Sequence, residues 1–158
     1  MSITANIVKG LDTYLSDKKV LEIACGDSEF SLNASRYAKT VLATDISLER
    51  LRKRGLDAIP KNVEFREMDA TNLDIDNDSV DVSVCYNALG HLEDFLKPVL
   101  MEMARVTVKN GYLIFIATWK MDKAILSKLK NVICDYSNLA ICADMENREH
   151  RTIIIKRE

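Results

Sequence analysis

Apolar and polar positions along this chain follow two periods. Short runs rich in Val, Ile, Leu and aromatic residues fall at Val20–Ala24, Val41–Thr44, Val63–Arg66, Val80–Tyr86 and Tyr112–Ala117. Each is long enough for a buried strand and too short for a buried helix. Most of the intervening stretches carry helical spacing. Glu29–Ala38 and Ser47–Arg54 read as helices, the second with Ser47 as N-cap. In Asp94–Val106, Leu96, Val99, Leu100, Met103, Ala104 and Val106 share one face, and Pro98 sits in the opening turn, where its missing N–H costs nothing. Lys109-Asn110-Gly111 then stops the helix and turns the chain into the next strand. Strands that alternate with helices require crossover connections and therefore a mostly parallel sheet.

The two ends depart from this alternation. Residues 1–16 place Ile3, Ile7, Leu11 and Leu15 at steps of four, joined by Val8 and Tyr14, which predicts an amphipathic helix packed on the sheet or its edge. After Tyr112–Ala117 comes a helix over Lys123–Val132, a weaker strand at Leu139–Ala143, a charged turn at Glu146–His150 and a terminal strand at Thr152–Lys156, an antiparallel hairpin closing one sheet edge. Met68–Ser79 carries Asp69, Asp74, Asp76 and Asp78 with no apolar stripe and reads as a loop. The expected fold is α/β: a Rossmann-like doubly wound sheet of seven strands in one domain over residues 1–158, with residues 19–158 forming the sheet core.

Composition narrows the class. With 47% hydrophobic and 29% charged residues, the chain has the apolar content of a globule and is not disordered as a whole. The 22 Lys and Arg nearly cancel the 24 Asp and Glu, so no overall field draws in nucleic acid or anionic lipid. The longest apolar run, Tyr112–Ala117, is far below the about 20 residues a membrane helix needs. The first residues lack the basic and apolar regions of a secretory signal, which makes the cytosol the expected compartment. Cys25, Cys85, Cys134 and Cys142 are far apart and form no metal-binding pair.

Chemistry concentrates at the first turn. Val20 to Ile23 ends in Ala24-Cys25-Gly26-Asp27-Ser28, a helix starts at Glu29, and the second strand ends in Asp45, 19 residues beyond Gly26. A carboxylate at that offset accepts bonds from the ribose hydroxyls of a bound nucleoside. A dinucleotide would want glycines at 24, 26 and 29, so that its pyrophosphate could rest on the helix N-terminus, but the residues here are Ala24, Gly26 and Glu29. Glu29 repels a phosphate. Nicotinamide and flavin cofactors are disfavoured, and a phosphate-free, positively charged nucleoside is favoured.

On these residues the chain resembles a class I S-adenosylmethionine-dependent methyltransferase of the small-molecule type. Glu22, Gly26 and Asp45 match the family's first motif, while Ala24 and Ser28 stand where it has outer glycines. Phe65-Arg66-Glu67-Met68-Asp69-Ala70 is similar to the segment whose aspartate accepts from the adenine amino group. Val80 to Leu92 resembles the fourth strand and active-site loop, and Arg105 to Phe115 the passage into the fifth strand. The likeness runs from Lys19 to Thr118. It implies S-adenosylmethionine as cofactor, held by Glu22, Ala24, Gly26, Asp45, Ile46, Asp69, Ala70 and Cys85. The acceptor side would hold His91 as candidate base, with Tyr86 and Asn87 orienting the acceptor. A small-molecule acceptor is expected, with an open site or a lid from a second subunit. A non-catalytic cofactor-binding module with the same fold is the alternative.

Other features have simpler readings. Asp74-x-Asp76-x-Asp78 imitates a calcium loop but lacks its glycine and terminal glutamate. The run Arg50, Arg52, Lys53, Arg54 reads as a solvated helix face, His150 as a solvated turn residue, and Cys25 as core. Trp119, Lys120 and Tyr14 are candidates for the acceptor side, with strand-end packing the competing role for Trp119.

Overall fold

A computed structural model describes residues 1–158. Seven strands form one sheet in the order β3-β2-β1-β4-β5-β7-β6. They are β1 (Lys19–Ile23), β2 (Thr40–Asp45), β3 (Val63–Glu67), β4 (Val80–Tyr86), β5 (Thr107–Ala117), β6 (Leu139–Glu146) and β7 (Arg151–Arg157). The first five run parallel, and β7 joins β5 and β6 antiparallel. The chain winds outward from β1 to β3, then returns to place β4 on the other side of β1. At that reversal the crossovers before and after leave a crevice above the carboxyl ends of β1 and β4, the place where open α/β sheets bind ligands.

Strand alternation divides the core into two layers. On one face Leu21, Ile23, Leu113, Phe115, Ile153 and Ile155 pack under the helices α5 (Leu89–Leu92), α6 (Leu96–Val106) and α7 (Lys120–Ile133). On the other, Val20, Val82, Val84, Ile114, Ile116 and Ile154 pack under α1 (Ile3–Gly10) and α3 (Glu29–Ala34). β5 feeds both layers from adjacent residues because successive side chains point to opposite faces.

The differences from the sequence reading have local causes. The N-terminal helix is two pieces, because α1 ends at Leu11 and α2 covers Asp12–Leu15, yet Ile7, Val8, Leu11 and Leu15 all stay buried. α3 stops at Ala34, four residues short of the expected end. Ser47 accepts from the Glu49 amide at 3.3 Å, and the helix proper, α4, is Glu49–Arg54. β5 begins at Thr107 rather than Tyr112: Thr107 pairs with Val80, and a register irregularity absorbs Lys109-Asn110-Gly111 with Asn110 at φ 65°. Gly111 is obligatory there, since a Cβ would stand 2.5 Å from the Asp81 carbonyl oxygen. The loop Met68–Ser79 holds only the single bridge Asp69–Asn72. The short α5 has no counterpart in the sequence pattern, and the helix expected from Asp94 opens as a single 3₁₀ turn, Glu93–Phe95, before α6 proper begins at Leu96.

Candidate active site

The turn after β1 is bound to the end of β2. Cys25 N donates to the Thr44 carbonyl at 2.8 Å, and Gly26 N donates to Asp45 Oδ2 at 2.8 Å. Alternate residues of this turn, Ala24, Gly26 and Ser28, are in the left-handed region, with φ of 49°, 56° and 63°. Glycine adopts that conformation freely, whereas a residue with a Cβ is strained in it. The strain at Ala24 and Ser28 is offset by the bonds that hold the turn closed, including Ser28 N to the Cys25 carbonyl at 2.8 Å.

Two adjoining cavities open above these strand ends. The larger, about 410 Å³, is walled by Ala24, Asp45, Ile46, Asp69 and Ala70, with Met68, Thr71, Leu92 and Phe95 completing it. The smaller, about 110 Å³, is walled by Ala24, Gly26, Asp27, Glu29, Tyr86 and Trp119. Asn87, His91 and Arg50 line both. Of the residues that the sequence nominates, ten therefore come together: Ala24, Gly26, Asp45, Ile46, Asp69, Ala70, Tyr86, Asn87, His91 and Trp119.

Within the larger cavity the carboxylates are held and keep spare acceptor capacity. Asp45 Oδ1 accepts from Ser47 N at 3.3 Å while Oδ2 takes the Gly26 amide. Asp69 Oδ1 accepts from Thr71 Oγ1 at 2.7 Å and Thr71 N at 2.8 Å, and these donors hold its carboxyl below the ordinary value. Ile46 is 73% exposed at the lip, an apolar surface with no protein partner.

Glu22 and Cys85 line neither cavity. Glu22 lies on the α1/α3 face of β1, 1% exposed, where Ser31 Oγ donates to Oε1 at 2.6 Å and Ser31 N at 3.2 Å. Burial raises its carboxyl to about 8 against the lowering effect of those bonds, so near neutral pH it is mostly protonated. It fixes the start of α3 and presents no charge to a ligand. Cys85 is fully buried on the opposite face, and burial raises its thiol far above the ordinary range. Strand alternation explains Cys85, whose neighbour Tyr86 lines the smaller cavity, whereas Glu22 lies within the strand under α3. Cys25, pushed up to about 12 by burial and receiving a bond from Ser28 Oγ at 3.2 Å, is likewise a neutral thiol.

On the β4/β5 side the nominated polar groups are already partnered. The Tyr86 hydroxyl pairs with Thr4 Oγ1 of α1 at 2.7 Å. Its ring lies 5.6 Å from that of Phe30, and burial raises the phenol above its usual value. Asn87, at φ 51°, donates from Nδ2 to Thr118 Oγ1 and accepts at Oδ1 from Thr118 N, both at 2.7 Å. Asp122 of α7, 2% exposed, accepts at Oδ1 from Gly90 N at 2.9 Å, while its buried Oδ2 has no partner. Two clamps thus fix the segment after β4 against the segment after β5. His91, one residue from the second clamp, is exposed and its ring makes no protein hydrogen bond.

Trp119 is 59% exposed on the rim of the smaller cavity. Lys120 lines neither cavity, and Tyr14 stacks edge-on against Tyr112, centroids 5.0 Å apart. His150 is not simply solvated, because its Nδ1 lies 3.0 Å from Thr152 Oγ1. The basic run of α4 is exposed, as expected for a solvated face, but its arginines are engaged differently. Arg52 pairs with Glu67 at 3.1 Å, Arg54 donates to the Asp27 carbonyl at 3.0 Å, and Arg50 turns into the cleft. Arg50 and Asp122 are the residues that sequence reasoning missed. Arg50's signal is its place in the first turn of the helix that leaves the Asp45 strand end, whereas Asp122 has none, since its partner Gly90 is 32 residues away. A separate cavity of about 230 Å³ between α6 and β6 offers little to a ligand, because its two arginines are already bound, Arg105 to Glu102 and Arg157 to Asp78.

Residues 21–115, more than half of the chain, match the sequence profile of a family described as a methyltransferase domain. A protein of Bacillus subtilis named uncharacterized methyltransferase YcgJ is 27% identical over 119 residues, 73% of this chain and 47% of that protein. The chain thus spans about half the length of this curated relative. Among solved structures, a SAM dependent methyltransferase from Aquifex aeolicus superimposes with a TM-score of 0.78 at 17% identity, covering 98% of this chain and 89% of the other. The magnesium protoporphyrin IX methyltransferase of Synechocystis, solved with bound SAH, gives 0.71 at 17% identity over 98% and 81%.

Proposed function

This chain belongs to the methyltransferase-domain family, and from that membership we propose that it transfers a methyl group from S-adenosylmethionine to a small-molecule acceptor. The observation that carries the reading is the larger cavity, where the carboxylates of Asp45 and Asp69 converge beside a closed turn at the sheet's switch point. Carboxylates accept from ribose hydroxyls and from an adenine amino group, and Ile46 and Ala70 supply apolar contact for the base. Asp27 and Glu29 wall the smaller cavity, which suits a ligand with positive charge and no phosphate.

The cofactor supplies a methyl group already activated by its sulfonium. What is left for the protein is to hold donor and acceptor in line, a contribution of about 7–11 kcal/mol for well-oriented reactants. The Asn87–Thr118 and Gly90–Asp122 clamps support that role, because they fix the acceptor wall without using a flexible loop. His91, with a free ring at the junction of the two cavities, is the candidate to take a proton from the acceptor. Tyr86 and Asn87 act as positioning residues through Thr4 and Thr118.

The test is transfer of labelled methyl from S-adenosylmethionine into the small-molecule fraction of a cell extract, with His91→Gln alongside. Labelled product that falls in His91→Gln, while S-adenosylhomocysteine binding stays unchanged, supports the assignment. Label found only in protein or nucleic acid contradicts the acceptor class. The partnering of Tyr86 and Asn87 favours a second reading, a module that binds the cofactor without turnover, and any labelled small-molecule product eliminates it.

A further inference from the structure

We propose that Arg50 is the residue that recognises the carboxylate on the amino-acid arm of the cofactor. The inference rests on the S-adenosylmethionine reading above and extends it to a residue outside the matched motifs. Arg50 is the one arginine or lysine among the residues lining either cavity, facing Asp45 and Asp69 in the larger and Asp27 and Glu29 in the smaller. It belongs to both walls, so it stands where a ligand seated as a nucleoside in the larger cavity must pass its arm into the smaller.

Its neighbours on α4 set it apart. Arg52 is paired with Glu67 at 3.1 Å and Glu49 at 3.7 Å, and Arg54 reaches the Asp27 carboxylate at 3.9 Å. Arg50 makes no ion pair and no hydrogen bond. Instead its guanidinium lies over Gly26, with one terminal nitrogen 3.0 Å and Cζ 3.3 Å from where a Cβ would be. A bare glycine with φ 56° leaves room for that approach, and any side chain at 26 would push the guanidinium away.

Arg50 is exposed at the mouth of the cleft and its guanidinium is in ion-pair contact with none of the carboxylates around it, so it is free to take a planar ligand anion with two parallel N–H donors. The amino-acid arm of the proposed cofactor carries a carboxylate and an ammonium. Arg50 complements the first, and the Asp27 and Glu29 carboxylates on the same cavity wall complement the second. The smaller cavity is thereby a zwitterion site, with Arg50 as its only fixed positive group.

Calorimetry with two ligands tests this. S-adenosylhomocysteine carries the amino-acid arm, and 5′-methylthioadenosine has the same nucleoside without it. Arg50→Gln removes no intramolecular bond, and an unchanged melting temperature without ligand verifies that it folds. The variant is expected to bind S-adenosylhomocysteine about 10- to 150-fold more weakly, the range for hydrogen bonds to a charged group, and 5′-methylthioadenosine as well as wild type does. Equal S-adenosylhomocysteine affinity in variant and wild type, or an equal loss for both ligands, overturns the Arg50 assignment alone. Wild type that binds neither ligand overturns the cofactor reading and this inference with it.

Discussion

The two halves of the cleft use their polar groups in opposite ways. At the ends of β2 and β3, Asp45 and Asp69 are each oriented by local donors and still offer acceptor capacity to the larger cavity. At the ends of β4 and β5, Tyr86 and Asn87 spend their polar atoms on Thr4 and Thr118, and Asp122 holds Gly90, leaving His91 free. One half is arranged to be completed by a ligand. The other is complete without one, and in the proposed reaction it is the rigid wall against which an acceptor would be set.

The sharpest way to break this comparison is to remove an acceptor from the open half. Asp45→Ala is expected to weaken S-adenosylhomocysteine binding by about 1.5–3 kcal/mol, or roughly 10- to 150-fold, by titration calorimetry. Unchanged affinity would mean that the ribose is held elsewhere. In the closed half, Asn87→Ala loses two hydrogen bonds at a left-handed position and should lower unfolding free energy by about 2 kcal/mol in a denaturant titration. Cofactor affinity should stay the same and turnover should fall. A variant that loses affinity in place of stability would erase the distinction between the halves.

Glu22 tests whether the turn between the halves rests on a neutral carboxyl. Its value is raised from 4.5 to about 8 in the folded protein, so the folded state binds the extra proton. The stability this gives is fully present below the unfolded value near 4.5 and is lost as pH rises through about 8. Denaturation followed from pH 5 to 8 should show a decline of at most about 1.4 kcal/mol per pH unit from this group, which Glu22→Gln removes. A slope that is the same in the variant would contradict a protonated Glu22. The smallest expected effect is at Ala24, φ 49°, where Ala24→Gly should relieve backbone strain and raise stability by about 0.5–1 kcal/mol. A lower melting temperature would show that the lost methyl contacts outweigh the strain.

Much of the fold was legible because its signals are local. Strand positions follow from short apolar runs, and β4 has the predicted bounds, Val80–Tyr86. The open half of the site was legible for the same reason, since Gly26 and Asp45 lie at ends of strands that the pattern itself marks. The side chain's direction was not. Glu22 and Cys85 sit on strands beside the cleft, yet both are core: Cys85 alternates with Tyr86, which does reach the smaller cavity, whereas Glu22 lies inside the strand and is covered by α3. The closed half depends on contacts across distance: Thr4 to Tyr86 spans 82 residues, Asn87 to Thr118 spans 31 and Gly90 to Asp122 spans 32. No periodicity encodes such pairs. Arg50 was hidden differently, as one of four basic residues on a short helix whose other arginines do pair at the surface.

The most direct measurement is calorimetric titration of the wild-type chain with S-adenosylhomocysteine at neutral pH. One-to-one binding with Kd below about 1 mM, −4.1 kcal/mol at the standard state, is the predicted result. Absence of any binding heat or competition up to that concentration would contradict a cofactor site built on Asp45 and Asp69.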